Sequence, residues 1–171
     1  MYKDLYDLGE PPPPGHVPAR MHAFTLRRDR YGEPRDAFAR EIVPVPELRP
    51  GHVLVYTMAA GINYNNVWAA LGHPVDVIAM REKAGADEDY HIGGSDGSGV
   101  VWAVGEGVRG VQVGDHVILS PGQWDEDSED IRLGRDPIAS QSMRVWGYEN
   151  NFGSFGQFTL VRDFQCHPKP E

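Results

Sequence analysis

Cysteine is nearly absent from this chain. A single thiol, Cys166, excludes an internal disulfide framework and any multi-cysteine zinc site. Beside His167, close to the C-terminal end, it reads as a half-buried, unreactive thiol in a terminal strand. Long apolar runs are missing too. No stretch approaches the roughly 20 residues that a membrane helix needs, and Met1-Tyr2-Lys3-Asp4 has neither the basic nor the apolar region of a signal peptide. A cytoplasmic chain with no membrane partner is the expectation. Positive charge is in deficit, with 16 Lys and Arg against 25 Asp and Glu and a formal net charge of -9. A nucleic-acid surface, which needs clustered cations to neutralise phosphates, is thereby excluded. The short cluster Arg27-Arg28-Asp29-Arg30 reads as strand-end solvation, with an anionic ligand such as a nucleotide phosphate as the alternative. No internal repeat is present.

What remains is 171 residues, 40% of them hydrophobic, enough for one domain with its own core. Residues 1–20 read as an arm. Its four consecutive prolines, Pro11 to Pro14, cannot donate to a ladder and favour polyproline II lying over the domain or over a partner subunit. From residue 21 the pattern is β. Met21 to Leu26 alternates, Ile42-Val43 precedes a proline break, and His52 to Ala60 is long and β-rich, so these segments make a meander and not a βαβ series. Gly61 to Gly72 turns helical, with Val67, Trp68 and Leu71 at three- and four-residue spacing on one face. Residues 76–89 read as a solvated helix or loop. The glycine-rich stretch His91 to Gly99 runs into a β segment, so its glycines suit a bulge or a close backbone approach and not a phosphate cradle, which would precede a helix. Val111 to Leu119 is a turn and strand, and Gln123 to Asp136 is acidic, irregular and exposed.

Two segments carry candidate chemistry. Asn63 and Asn65 flank Tyr64 at the helix entrance. One asparagine suffices to cap the helix, which leaves a second amide for a ligand. The other segment, Arg144 to Gly156, holds one carboxylate, two adjacent amides, four aromatic rings and three glycines just before an alternating run, Gln157 to Val161. Taken alone it is equally a β-corner or the wall of a site.

The Asn63-Tyr64-Asn65 turn after a long strand, Gly94-Ser95-Asp96-Gly97-Ser98-Gly99-Val100-Val101, and the Val113-Gly114-Asp115-His116-Val117 turn together resemble the GroES-like N-terminal domain of the medium-chain dehydrogenase/reductases. Ser95-Asp96 stands where zinc-dependent members carry a His-Glu pair, so the chain resembles the zinc-free branch. The proline arm, Met58 to Asn65 and Trp146-Gly147-Tyr148-Glu149 narrow the resemblance to the crotonyl-CoA carboxylase/reductase family. The resemblance implies a mainly β chain with short helices, a partly open GroES-like barrel over 21–171, and no Rossmann domain in this sequence. It also implies NADPH-dependent reductive carboxylation of an enoyl-CoA, crotonyl-CoA to ethylmalonyl-CoA, with CO2 as co-substrate and no metal. Asn65 matches the family's donor to one CO2 oxygen, Tyr148 a position whose backbone N–H contacts the other, and Glu149 the carboxylate that orders the pocket. Asn63 and Tyr64 are expected to line the cofactor and substrate cleft. The family's histidine in the nucleotide-binding half has no counterpart. Activity is therefore expected to need a Rossmann-containing second half or subunit, in an oligomer whose contacts the acidic stretch leaves open. The alternatives are a non-catalytic GroES-like interaction module and half of a zinc-free enoyl or quinone reductase without carboxylation.

Overall fold

The computed structural model describes residues 2–170, so Met1 and Glu171, the outermost positions of the expected arm and domain, lie outside it. Ten strands carry the fold: β1 (Arg20–Leu26), β2 (Ala39–Pro44), β3 (His52–Gly61), β4 (His91–Ile92), β5 (Asp96–Val104), β6 (His116–Leu119), β7 (Gly122–Gln123), β8 (Arg144–Val145), β9 (Phe158–Arg162) and β10 (Cys166–Pro168). The helices are short: α1 (Pro34–Ala37), α2 (Tyr64–Leu71), α3 (Val77–Lys83) and α4 (Glu129–Arg132). Every strand pairing is antiparallel, in sheets ordered β2-β1-β4, β10-β6-β5-β3-β9 and β7-β8. The first two sheets meet at an Ala23–Gly156 bridge, where Phe24 N–H donates to Phe155 O at 2.8 Å and Gln157 N–H to His22 O at 3.0 Å, closing a partly open barrel. A parallel nucleotide-binding sheet with crossover helices is not present among the described residues.

The long apolar run of β3 has a direct cause. Leu54 and Tyr56 point into one core with Met21, Trp102, Phe158 and Leu160, whereas Val53 and Val55 point into another with Val101, Val117, Trp146 and Val161. A central strand buried on both faces has no polar side to show. The glycine-rich expectation for β5 is met at Gly99. A Cβ there would lie 2.1 Å from Tyr56 O, next to the register shift between Thr57 and Ala59.

Two local expectations needed revision, and one alternative loses its ground. In α2 the large residues that share a face, Trp68 and Leu71, stay outward, and the helix is buried through Asn66, Ala69 and Ala70, whose small volume lets the backbone come close to the third core cluster. The segment expected to be solvated contains α3, which buries Val77, Ile78 and the whole Arg81 side chain, whose Nη2–H donates to Tyr90 O at 2.8 Å. The basic cluster is already engaged. Arg27 and Arg30 bond Glu41 and Arg28 bonds Glu82, each within 2.8 Å, which leaves little charge for a phosphate. The arm lies along the barrel: Tyr6 is buried, Trp102 Nε1–H donates to His16 O at 2.7 Å and Gln157 Nε2–H to Tyr6 O at 3.3 Å.

Candidate functional site

Asn63 ends the extended chain after β3 and caps α2. Its Oδ1 accepts from Asn65 N–H at 3.0 Å, and its Nδ2 hydrogens go to Ser95 Oγ at 2.7 Å and Asp96 Oδ2 at 2.6 Å. That amide is fully used in joining the helix to β5, so Asn63 frames the site. Asn65 is different. It does no capping, and among the described residues its side chain makes one hydrogen bond, a long 3.4 Å donation to Ser95 Oγ. The spare amide inferred from the doubled asparagine is therefore present, half-buried at the first turn of α2.

Tyr64 lies 66% exposed beside it and packs edge-on to Trp68, which in turn tilts against the buried ring of Tyr148. Three rings thus connect the helix entrance to the loop expected to face it. Burial, and then the neighbouring Glu149 charge, push the Tyr148 hydroxyl above its ordinary pKa and keep it protonated.

The loop is organised around Val145. Val145 N–H donates to Glu149 Oε2 at 2.8 Å, and Val145 O receives the N–H groups of Glu149, Asn150 and Tyr148 at 2.8, 3.1 and 3.2 Å. Glu149 thereby locks its own turn, and the Tyr148 N–H is the most loosely held of the three donors. Gly147, at φ 70°, sits so close to the connection between β4 and β5 that a Cβ would meet Gly94 O at 2.0 Å. Trp146 is fully buried, with Nε1–H donating to Phe152 O and Thr159 Oγ1, both at 3.1 Å. The two adjacent amides of this loop serve the frame: Asn150 bonds Gln123, and Asn151 accepts from Ile92 N–H at 2.8 Å and donates to Tyr90 O at 3.2 Å.

The structure thus brings Asn63, Asn65 and the Gly147–Tyr148 peptide onto the same Gly94–Ser95 segment, from positions about eighty residues apart in sequence. Two clefts flank this face, and none of Asn63, Tyr64, Asn65, Tyr148 and Glu149 lines either. One, of about 1000 Å³, is apolar and includes Asn66 and Val67; the other, of about 500 Å³, is polar and includes Asn150 and Asn151. Sequence reasoning missed His91 and Asn66. His91 is fully buried, and burial together with Arg81 lowers its pKa to about 3, so it is neutral. Asn66 is 4% exposed and its Oδ1 accepts from Gly94 N–H at 3.1 Å. A polar side chain inside an otherwise apolar strand, or on the small-residue side of a helix, was the available signal.

Among the described residues no three His, Cys, Asp or Glu side chains converge as a metal ion would require, and no helix is long and apolar enough to cross a membrane. A phosphate-cradling turn before a helix is likewise not found among them.

Residues 49–171 match the family model for the alcohol dehydrogenase GroES-like domain. The crotonyl-CoA carboxylase/reductase of Cereibacter sphaeroides is 48% identical over 99% of this chain, which spans 38% of that relative. Among solved structures, a crotonyl-CoA carboxylase/reductase, AntE, in complex with NADP is 60% identical with a TM-score of 0.93, covering 98% of this chain and 41% of the other. The 2-octenoyl-CoA carboxylase reductase CinF in complex with NADP and 2-octenoyl-CoA is 36% identical with a TM-score of 0.84, covering 91% of this chain and 38% of the other. The chain spans about two fifths of the length of the proteins it matches.

Proposed function

The chain belongs to the alcohol dehydrogenase GroES-like domain family, and from that premise we propose that it is the substrate-facing part of an NADPH-dependent enoyl-CoA carboxylase/reductase. In this reading residues 1–20 are an arm, residues 21–171 are the GroES-like catalytic domain, and a Rossmann-type part, in the same polypeptide or in a partner subunit, binds the nucleotide. The reaction needs no metal. Localisation in the cytoplasm and assembly into an oligomer belong to the same proposal.

NADPH, when bound, supplies the hydride that reduces C3 of the enoyl thioester. The electron pair moves to C2 and the carbonyl, and the resulting enolate forms a C2–carbon bond to CO2, giving an alkylmalonyl thioester without any proton being added. Water is the competitor, since protonation at C2 yields the plain saturated thioester. CO2 has no charge and no dipole, so a site can hold it only by directed donors and by keeping water out. Asn65 Nδ2–H serves one oxygen and the Tyr148 N–H the other. Glu149 acts on the loop by holding Val145 N–H at 2.8 Å. Tyr64, Trp68 and Tyr148 make the wall apolar, Tyr64 with Asn63 edging the nicotinamide side.

The observation that supports this reading most is the uncommitted Asn65 amide opposite a turn whose Tyr148 N–H is its loosest donor. The test uses the complete enzyme containing this chain, given NADPH, crotonyl-CoA and bicarbonate. Asn65→Leu and Glu149→Ala are expected to move product from ethylmalonyl-CoA to butyryl-CoA by roughly five- to tenfold in ratio, the value of one or two hydrogen bonds. An unchanged ratio in both variants would remove these residues from a CO2 site. Butyryl-CoA as the main product of the unaltered enzyme would favour a plain enoyl reductase instead.

A further inference from the structure

His91 on β4 is 0% exposed, and among the described residues its ring makes one hydrogen bond, from Nε2–H to Gly147 O at 3.3 Å, with Nδ1 buried and unpartnered. Only a carbonyl faces Nε2, so Nε2 carries the proton and Nδ1 is left as a bare acceptor. An apolar side chain of similar volume would fill the same space without an orphaned atom. What histidine alone contributes here is the N–H on Gly147 O.

That carbonyl belongs to the same peptide unit as the Tyr148 N–H. In a trans peptide the C=O and the N–H point to opposite edges of one plane, so a donor gripping Gly147 O from the core aims the Tyr148 N–H the other way and polarises it as a donor. The plane is held at its two edges by two bonds of similar length, the His91 bond to Gly147 O at 3.3 Å and the Tyr148 N–H bond within the turn, and His91 is the one side chain among the described residues that bonds it. Gly147 has no side chain, and the Tyr148 N–H itself rests 3.2 Å from Val145 O. The strand that carries His91 is meanwhile clamped to the loop, through Asn151 on both Tyr90 and Ile92 and through Gly153 N–H on Ile92 O at 3.0 Å.

We infer that His91 is a positioning residue that sets the Gly147–Tyr148 peptide plane, and through it the capture of CO2, while touching neither substrate nor cofactor. The inference rests on the function proposed above.

The test compares His91→Phe, His91→Gln and Asn65→Leu in the complete enzyme. His91→Phe keeps a buried ring and loses the donor. His91→Gln restores an N–H at about the reach of Nε2. In His91→Phe the share of uncarboxylated product and the KM for CO2 are expected to rise roughly fivefold, the worth of one neutral hydrogen bond, while the KM for crotonyl-CoA stays within about twofold; His91→Gln should return most of the lost selectivity. A merely structural histidine would lower Tm and leave product ratio and CO2 KM alone. That result, with Asn65→Leu still altering the ratio, overturns the role of His91 and leaves the proposed function standing. If Asn65→Leu has no effect either, both fall together. Should His91→Phe fail to fold, His91→Gln against His91→Met decides the matter: equal CO2 KM values in the two overturn the inference, and a lower value in His91→Gln supports it.

Discussion

Two irregular stretches of similar length, Gln123 to Asp136 and Arg144 to Gly156, behave in opposite ways. The first has no buried residue. Its order is local: Arg132 pairs with Asp127 at 3.2 Å and Arg135 with Asp130 at 2.6 Å, both solvent-exposed, and it is moored at its base by Trp124 stacked on Phe164 and by Glu126 on Arg162. The second buries Trp146, Gly147, Tyr148, Asn151, Gly153, Ser154 and Gly156, and its backbone groups bond to Val145 O inside the loop and to Pro121, Phe24 and residues 92–94 around it. Irregular backbone can be buried only when each polar group finds a partner. The second stretch meets that demand against the strands it packs on, and the first avoids it by staying in water. A loop that rigid can hold a weakly bound, uncharged ligand in place, and a solvated one cannot.

The contrast is broken most strongly at Gly147. Alanine there must both occupy a φ of 70° and accommodate a Cβ 2.0 Å from Gly94 O, so Gly147→Ala is expected to cost about 4 kcal/mol or more in urea denaturation, or to prevent folding. Next comes Asn151→Ala, which leaves Ile92 N–H and Tyr90 O without this partner in the interior and should cost about 2–3 kcal/mol.

A pH titration finds a third region between these extremes. Hydrogen bonding to Arg27 and then Arg30 holds the Glu41 carboxyl down from 4.5 to about 2. A group whose folded pKa is depressed stabilises the fold above its unfolded pKa and loses that contribution as pH falls through the folded one. Stability should therefore drop between about pH 4.5 and 2, and Glu41→Gln should flatten that part of the curve while lowering stability at neutral pH. The smallest effect is expected at Asp127→Ala in the acidic stretch, where losing one exposed ion pair should change stability by less than about 0.5 kcal/mol in the same assay. A larger loss would mean that this stretch packs more tightly than its exposure implies.

Much of this was legible in the chain. The alternation of β1, the turn before β3, the termination of α2 at Gly72 and the second, uncapping asparagine all follow from local periodicity and capping chemistry. The loop holding the two amides Asn150 and Asn151 was left open between a β-corner and a site wall because nothing local indicates which way a side chain in an irregular loop will point. Likewise α2 was read by its large residues, although it buries its small ones, because close approach is a property of the neighbour and not of the helix.

The sequence by itself determined that this is a β-rich chain with one capped short helix, a spare amide and a costly loop, because periodicity, caps and glycines act over a few residues. Only the tertiary structure decided that the spare amide and the loop meet at Ser95, and that Glu149 turns inward to hold Val145. The first joins residues about eighty apart through a third segment, and the second depends on how the loop packs against its neighbours, and no local rule carries that information.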